Sequence, residues 1–186
     1  MQEDAKNLKV EFPKDFLWGA STSGHQVEGG NRDQWTVWEL AHAEELAKMA
    51  EKRYSHIPSW PDIKKQAQDP RNYISGKGVE HYQRYKEDFA LVKKLNLNAF
   101  RFGIEWARLE PEEGKWDETV IEHYRQYISE LRKMDIEPVL NAWHWSEQSG
   151  SPKRAASKKG KTSSTSSALL TKSAKNTATC CATSSP

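Results

Sequence analysis

Three short apolar runs punctuate the chain, and between them apolar positions return every three or four residues. The first run, Phe16-Leu17-Trp18-Gly19-Ala20, is entered through Pro13 and left through small residues, which predicts a strand buried on both faces. The second, Asn98 to Ile104, sets Phe100, Phe102 and Ile104 on one face and Arg101 on the other. The third spans Pro138 to Trp145. From Glu80 to Leu95 the apolar positions are Tyr82, Tyr85, Phe89, Val92 and Leu95; from Asp117 to Met134 they include Ile121, Tyr124, Ile128 and Leu131. Both spacings predict amphipathic helices. A strand, helix, strand, helix, strand order predicts an α/β fold with a parallel sheet and helices outside it. In such folds functional groups collect at the carboxyl ends of the strands.

The long connection after the first run divides in two. Glu39 to Arg53 predicts a charged helix with Leu40, Ala43, Leu46, Ala47 and Ala50 along one face. Tyr54 to Gly78 carries Pro58, Pro61, Pro70 and Gly76, and predicts a loop. Its Trp60 suits either packing or contact with a bound ligand.

Each apolar run closes on side chains suited to holding a sugar. Gln26 and Glu28 follow the first, Arg101, Glu105 and Trp106 lie on or after the second, and His144 and Trp145 end the third. A glutamine amide offers a donor and an acceptor together, as two adjacent hydroxyls require. Blander roles compete at every position. A lone glutamine among Ser and Gly is usually a surface residue, Arg101 can pair with Glu105 for structure alone, and Trp143 and Trp145 suit a core. His25 and His42 are better explained as structural or solvated.

The stretches FLWGASTSGHQVEGGN, HYQRYKEDFALVKKLNLNAFRFGIEWARLEPEEGKWDE and IEPVLNAWHW together resemble the amino-terminal third of glycoside hydrolase family 1, the retaining β-glucosidases and β-galactosidases. The resemblance covers roughly Val10 to Trp145, and it implies the first three βα units of a (β/α)8 TIM barrel, residues 1–145, with no cofactor and no metal. It also implies a small-molecule β-glycoside or oligosaccharide as partner. Gln26 matches the family's glutamine on the non-reducing sugar, His144 a histidine bonded to a ring hydroxyl, and Trp145 the aromatic of the sugar pocket. Arg101 matches the arginine beside the nucleophile, where a guanidinium favours the ionised carboxylate.

Retaining hydrolysis needs two carboxyl groups about 5 to 5.5 Å apart. In this family they lie in an Asn-Glu-Pro and a Glu-Asn-Gly motif, and neither triplet occurs in the chain. A barrel of this kind takes about 250 residues; this chain has 186. The resemblance therefore implies a β-glycosidase truncated before both catalytic glutamates and inactive alone. A non-catalytic sugar-binding remnant is the alternative.

The sequence changes character after Trp145. Residues 146–186 hold 17 Ser or Thr, seven Lys or Arg, one acid and none of the eight tryptophans. With 21 basic and 25 acidic residues in the body, the net charge of +2 divides into +6 on the tail and −4 on the body. So polar a segment buries too little apolar surface to offset its ordering entropy, which predicts disorder. Its charge alone would suit a basic-tailed interaction protein. A different explanation comes from the codons these residues permit. One permitted coding of Lys161 to Ser167, AAA ACA TCA AGT ACT TCG TCC, regroups one base upstream to AAC ATC AAG TAC TTC GTC, or N-I-K-Y-F-V. Thr177 to Pro186 likewise permits Y-G-D-V-L-R-Y-V-I-T. Helix-then-strand text of that kind is what the family carries ahead of its Asn-Glu-Pro, so residues 146–186 are expected to be an out-of-frame reading of the same gene. On that account no nucleic-acid partner is expected. Cys180 and Cys181 lie in this tail and define no disulfide framework. No long apolar run predicts a membrane span or a signal peptide, and a soluble cytoplasmic protein is expected.

Overall fold

The computed structural model describes residues 11–148. Three strands, β1 (Gly19–Ser21), β2 (Ala99–Gly103) and β3 (Glu137–Asn141), form one parallel sheet in the order β1-β2-β3. Gly19 pairs with Ala99 and Ser21 with Arg101; Ala99 pairs with Glu137 and Gly103 with Asn141. Because both pairings are parallel, all three carboxyl ends lie along one edge of the sheet.

Among the described residues seven helical segments connect the strands. Between β1 and β2 lie α1 (Gly24–Val27), α2 (Gln34–Tyr54), α3 (Trp60–Ala67), a 3-10 turn (Pro70–Tyr73) and α4 (His81–Lys94). The short α5 (Trp106–Leu109) and α6 (Glu118–Lys133) separate β2 from β3. Helix α6 begins at Asp117, whose carboxylate accepts from the amides of Thr119 and Val120 and so satisfies two of the free donors of the first turn.

The predicted helical faces are largely the buried ones; Leu95, at the end of α4, and Leu40, on α2, are exposed instead. Tyr85, Phe89 and Val92 of α4 meet Ile121, Tyr124, Tyr127, Ile128 and Leu131 of α6 over Phe100, Phe102 and Ile104. Burying each such side chain contributes roughly 1.5 to 3 kcal/mol. Within this core His81 is held between Asp88 (2.5 Å) and the Tyr127 hydroxyl (2.8 Å). On α2, Ala43, Ala47 and Ala50 form a buried stripe, and this helix packs against α3 and the 3-10 turn.

Two expectations change. Phe16, Leu17 and Trp18 are exposed and precede the strand. The rings of Phe12, Phe16 and Trp18 pack on one another with centroids 4.7 to 4.8 Å apart. The Asn98 side chain bonds the Trp18 amide (2.7 Å) and the Phe16 carbonyl (3.1 Å), and the Trp18 carbonyl accepts from the backbone amides of Asn98 (2.9 Å) and Ala99 (3.1 Å). Residues 54–78 are also more ordered than a loop. Pro61 and Pro70 fall in the first turns of α3 and the 3-10 turn, where a missing N–H costs nothing, so these prolines start helices rather than break them. Trp60 is buried, which assigns it to packing.

Candidate active-site edge

The sequence-predicted residues fall along the carboxyl edge of the sheet. Gln26 lies on α1, just past β1, with an exposed side chain. Arg101 is on β2, half-buried, and its Nη1 donates to Ser21 Oγ at 3.0 Å across the strand pair. With the Asn141 amide turned so that its oxygen faces the guanidinium, Oδ1 accepts from Arg101 Nη2 at 3.1 Å. Arg101 thus bridges β1 and β3 from the central strand. His144 follows β3, and its Nδ1 lies 3.2 Å from Ser23 Oγ, joining the third loop to the first.

Trp145 is placed differently from a wall of a closed pocket. Its side chain is 65% exposed, with the Trp143 ring 5.2 Å away. Its φ of 67° lies in the left-handed region, where a bulky non-glycine residue persists only if its surroundings hold it. The hold is visible: Gln34 Nε2 donates to the Trp145 carbonyl at 2.6 Å, and Gln34 Oε1 accepts from the Glu147 amide at 2.5 Å. Residues 146–148 pack on the body. Ser146 is buried and Gln148 bridges Asp33 in antiparallel fashion. The remainder of the predicted tail, 149–186, lies outside the described residues.

Beneath this edge is a buried polar layer that takes in two side chains read above as facing a sugar, Glu28 and Glu105, and burial removes both from that role. Glu28 is 3% exposed and Glu105 is 1% exposed. Glu28 accepts from the Tyr124 hydroxyl at 2.8 Å and from Arg108 Nε at 3.1 Å. Glu105 accepts from Ser146 Oγ at 3.2 Å, while its Oε2 has no hydrogen-bond partner among the described residues. Gly24 is required here, since a Cβ at that position would come within 2.6 Å of Glu105 Oε1. Burial, with Glu105 adding repulsion, outweighs Arg108 and Tyr124 and pushes the Glu28 carboxyl up to about 7. Burial likewise raises Glu105.

His25, beside Gln26, is a second junction. Its Nδ1 meets Asp33 at 2.8 Å, and its Nε2 meets Glu39 at 2.9 Å and Ser75 Oγ at 3.1 Å. The Asp33 bond, against desolvation and with help from Glu39, lifts the imidazole to about 9, so it is cationic at neutral pH. Burial pushes the Asp33 and Glu39 carboxyls up, but their bonds to His25 and nearby donors prevail, and both end below the usual range. His42 stacks on Trp38 and bonds its carbonyl at the surface. No cluster of three or more His, Cys, Asp or Glu among the described residues has metal-binding geometry. No described helix is long and apolar enough to cross a membrane.

Amide, guanidinium, imidazole and indole groups gather at the carboxyl edge of this parallel strand–helix array, the edge at which α/β folds of this kind place their functional groups. Residues 8–148 match glycosyl hydrolase family 1, and the chain belongs to that family. Relatives include aryl-phospho-β-D-glucosidase BglC of Bacillus subtilis (34% identical over 138 residues, 72% of this chain and 24% of the relative). Beta-glucosidase A of Acetivibrio thermocellus is 28% identical over 141 residues, 74% of this chain and 27% of its own length. Among solved structures, the β-glycosidase BGL167 superposes with a TM-score of 0.54 at 35% identity, covering 74% of this chain and 27% of that one. The chain therefore spans about a quarter of the length of the relatives it matches.

Proposed function

We propose that this chain carries the first three βα units of a (β/α)8 barrel whose complete form hydrolyses β-linked glucosides with retention, and that residues 1–148 supply part of its sugar-binding wall. The observation that carries this is the placement of Gln26, Arg101 and His144 at the carboxyl edge of three adjacent parallel strands, in a chain of this family. Gln26 takes two hydroxyls of the non-reducing sugar, His144 takes a third, and Trp145 covers an apolar sugar face. Arg101, already braced by Ser21 and Asn141, keeps the nucleophile ionised. The two catalytic carboxyl groups belong to later strands, and neither of their motifs occurs in the 186 residues. Residues after 148 are an out-of-frame reading of the same gene, which the tail's composition and the end of the family match both support.

Nucleotide sequence through the codons after Gln148, and beyond that for Pro186, tests both parts. The expected result is an alternative frame that continues through Asn-Glu-Pro and later Glu-Asn-Gly. Repairing that frame is expected to yield hydrolysis of an aryl β-glucoside, while the 186-residue chain gives a rate equal to buffer. Absence of both motifs from every frame, or turnover by the chain as it stands, overturns the proposal.

A further inference from the structure

We propose that Arg108 is the positioning residue of the sugar edge, fixing the loop that carries Gln26 against the rest of the sheet. The proposal rests on the sugar-binding role argued above for Gln26. Arg108 belongs to α5, after the second strand, yet its guanidinium hydrogen bonds among the described residues reach into the first loop. Its Nε donates to Glu28 Oε2 (3.1 Å) and Asn31 Oδ1 (2.9 Å), and its Nη2 donates to the Gly29 carbonyl. Asn31 in turn donates to the Gly24 carbonyl at 3.1 Å. The bonded positions, Gly24 on one side and Glu28, Gly29 and Asn31 on the other, bracket Gln26.

The guanidinium is itself held from behind. It lies over the Tyr82 ring of α4, 4.3 Å from the centroid, and Tyr82 stacks on His123 of α6. Glu28, the pivot of the bracket, takes a second bond from Tyr124 of α6, whose hydroxyl oxygen accepts from the Glu105 amide at the start of α5. Arg108 is therefore registered against both core helices before it touches the loop. A planar fork with fixed donors suits this role, because it meets a carboxylate, an amide oxygen and a backbone carbonyl in one orientation; a lysine ammonium has no such fork. Gln26 itself is exposed and belongs to a four-residue helix, so its direction depends on these anchors.

Hydrogen–deuterium exchange on the 186-residue chain tests the bracket, and amide shifts in a titration with methyl β-D-glucopyranoside test its purpose. Arg108→Met is expected to speed exchange across residues 24–31 by about tenfold while leaving amides of α6 unchanged. It should also abolish the glucoside-dependent shift of the Gln26 side-chain amide. Arg108→Lys is expected to recover part of both, since the ammonium still faces Glu28. If Arg108→Met unfolds the chain, Tyr124→Phe, which removes one bond to Glu28, is expected to move the same segment in the same direction by a smaller factor. Unchanged exchange of residues 24–31 in the folded variants overturns the proposal. So does a Gln26 shift that survives while exchange rises, for Arg108 would then be structural only. A wild-type chain with no glucoside-dependent shift overturns the sugar-binding role of Gln26 instead, and the exchange result still decides the bracket.

Discussion

Gln26 and His144 differ in how firmly they are placed, and that difference shapes what their removal should do. His144 is tied to Ser23, whereas Gln26 is oriented through its loop. In a frame-repaired enzyme, alanine at either position is expected to lower kcat/KM by roughly 1 to 3 kcal/mol, the cost of leaving a sugar hydroxyl unsatisfied. Because sugar contacts strengthen in the distorted transition state, kcat should fall along with affinity; full kcat/KM in both variants would remove the assignments. A second expectation concerns pH. His25 is raised to about 9, so its stabilisation is complete below about 6.5 and is lost as pH climbs through 9. Glu28 is raised to about 7, so burying its ionised form destabilises the fold progressively from about pH 4.5 to 7. The two add: denaturant midpoints should fall from mildly acidic pH to 9, and His25→Gln should flatten the upper part of that decline. What Gln26 and His144 bind is the proposal above; their positions just past β1 and just past β3 were legible from short motifs. Arg108, Asn31 and Tyr124 were not, because no local spacing links a loop asparagine, a helix tyrosine and an arginine nearly 80 positions from its partners.

At the scale of elements, helix faces were the most readable feature and strand ends the least. Asp117 followed by a three-and-four apolar spacing gave α6 within a residue at each end, since cap and buried face agree. Asp117→Ala is therefore expected to cost about 0.5 to 2 kcal/mol, measured by denaturant unfolding with an unchanged slope. A cost near zero would show that the cap is not used. The aromatic run at 16–18 misled because apolar character cannot distinguish a paired strand from rings that pack on one another. Asn98, which decides the matter by bonding that backbone, lies 80 or more positions away. Prolines between 58 and 70 misled for a related reason: a missing amide ends a helix in its interior and is harmless in its first turn.

For the molecule as a whole, the informative residues are 146–148: Ser146 bonds Glu105, Glu147 bonds Gln34, and Gln148 bridges Asp33, so three residues whose composition resembles the tail contact the body. Ending the chain after Gln148 should leave its unfolding midpoint where it is. Ending it after Trp145 should lower stability by about 1 to 3 kcal/mol, because buried Glu105 then loses its Ser146 partner. Equal midpoints for the two shortened chains would show that residues 146–148 do not support the body.

The tie between Glu147 and Gln34 spans 113 positions, and it sets an order of events on the ribosome. Helices α4 and α6 can settle on β2 as soon as that stretch has left the exit tunnel, since their contacts are close in sequence. The start of α2 cannot. It waits, with the left-handed turn at Trp145, until residues 146–148 emerge, so the start of α2 is among the last parts of this region to take shape during synthesis.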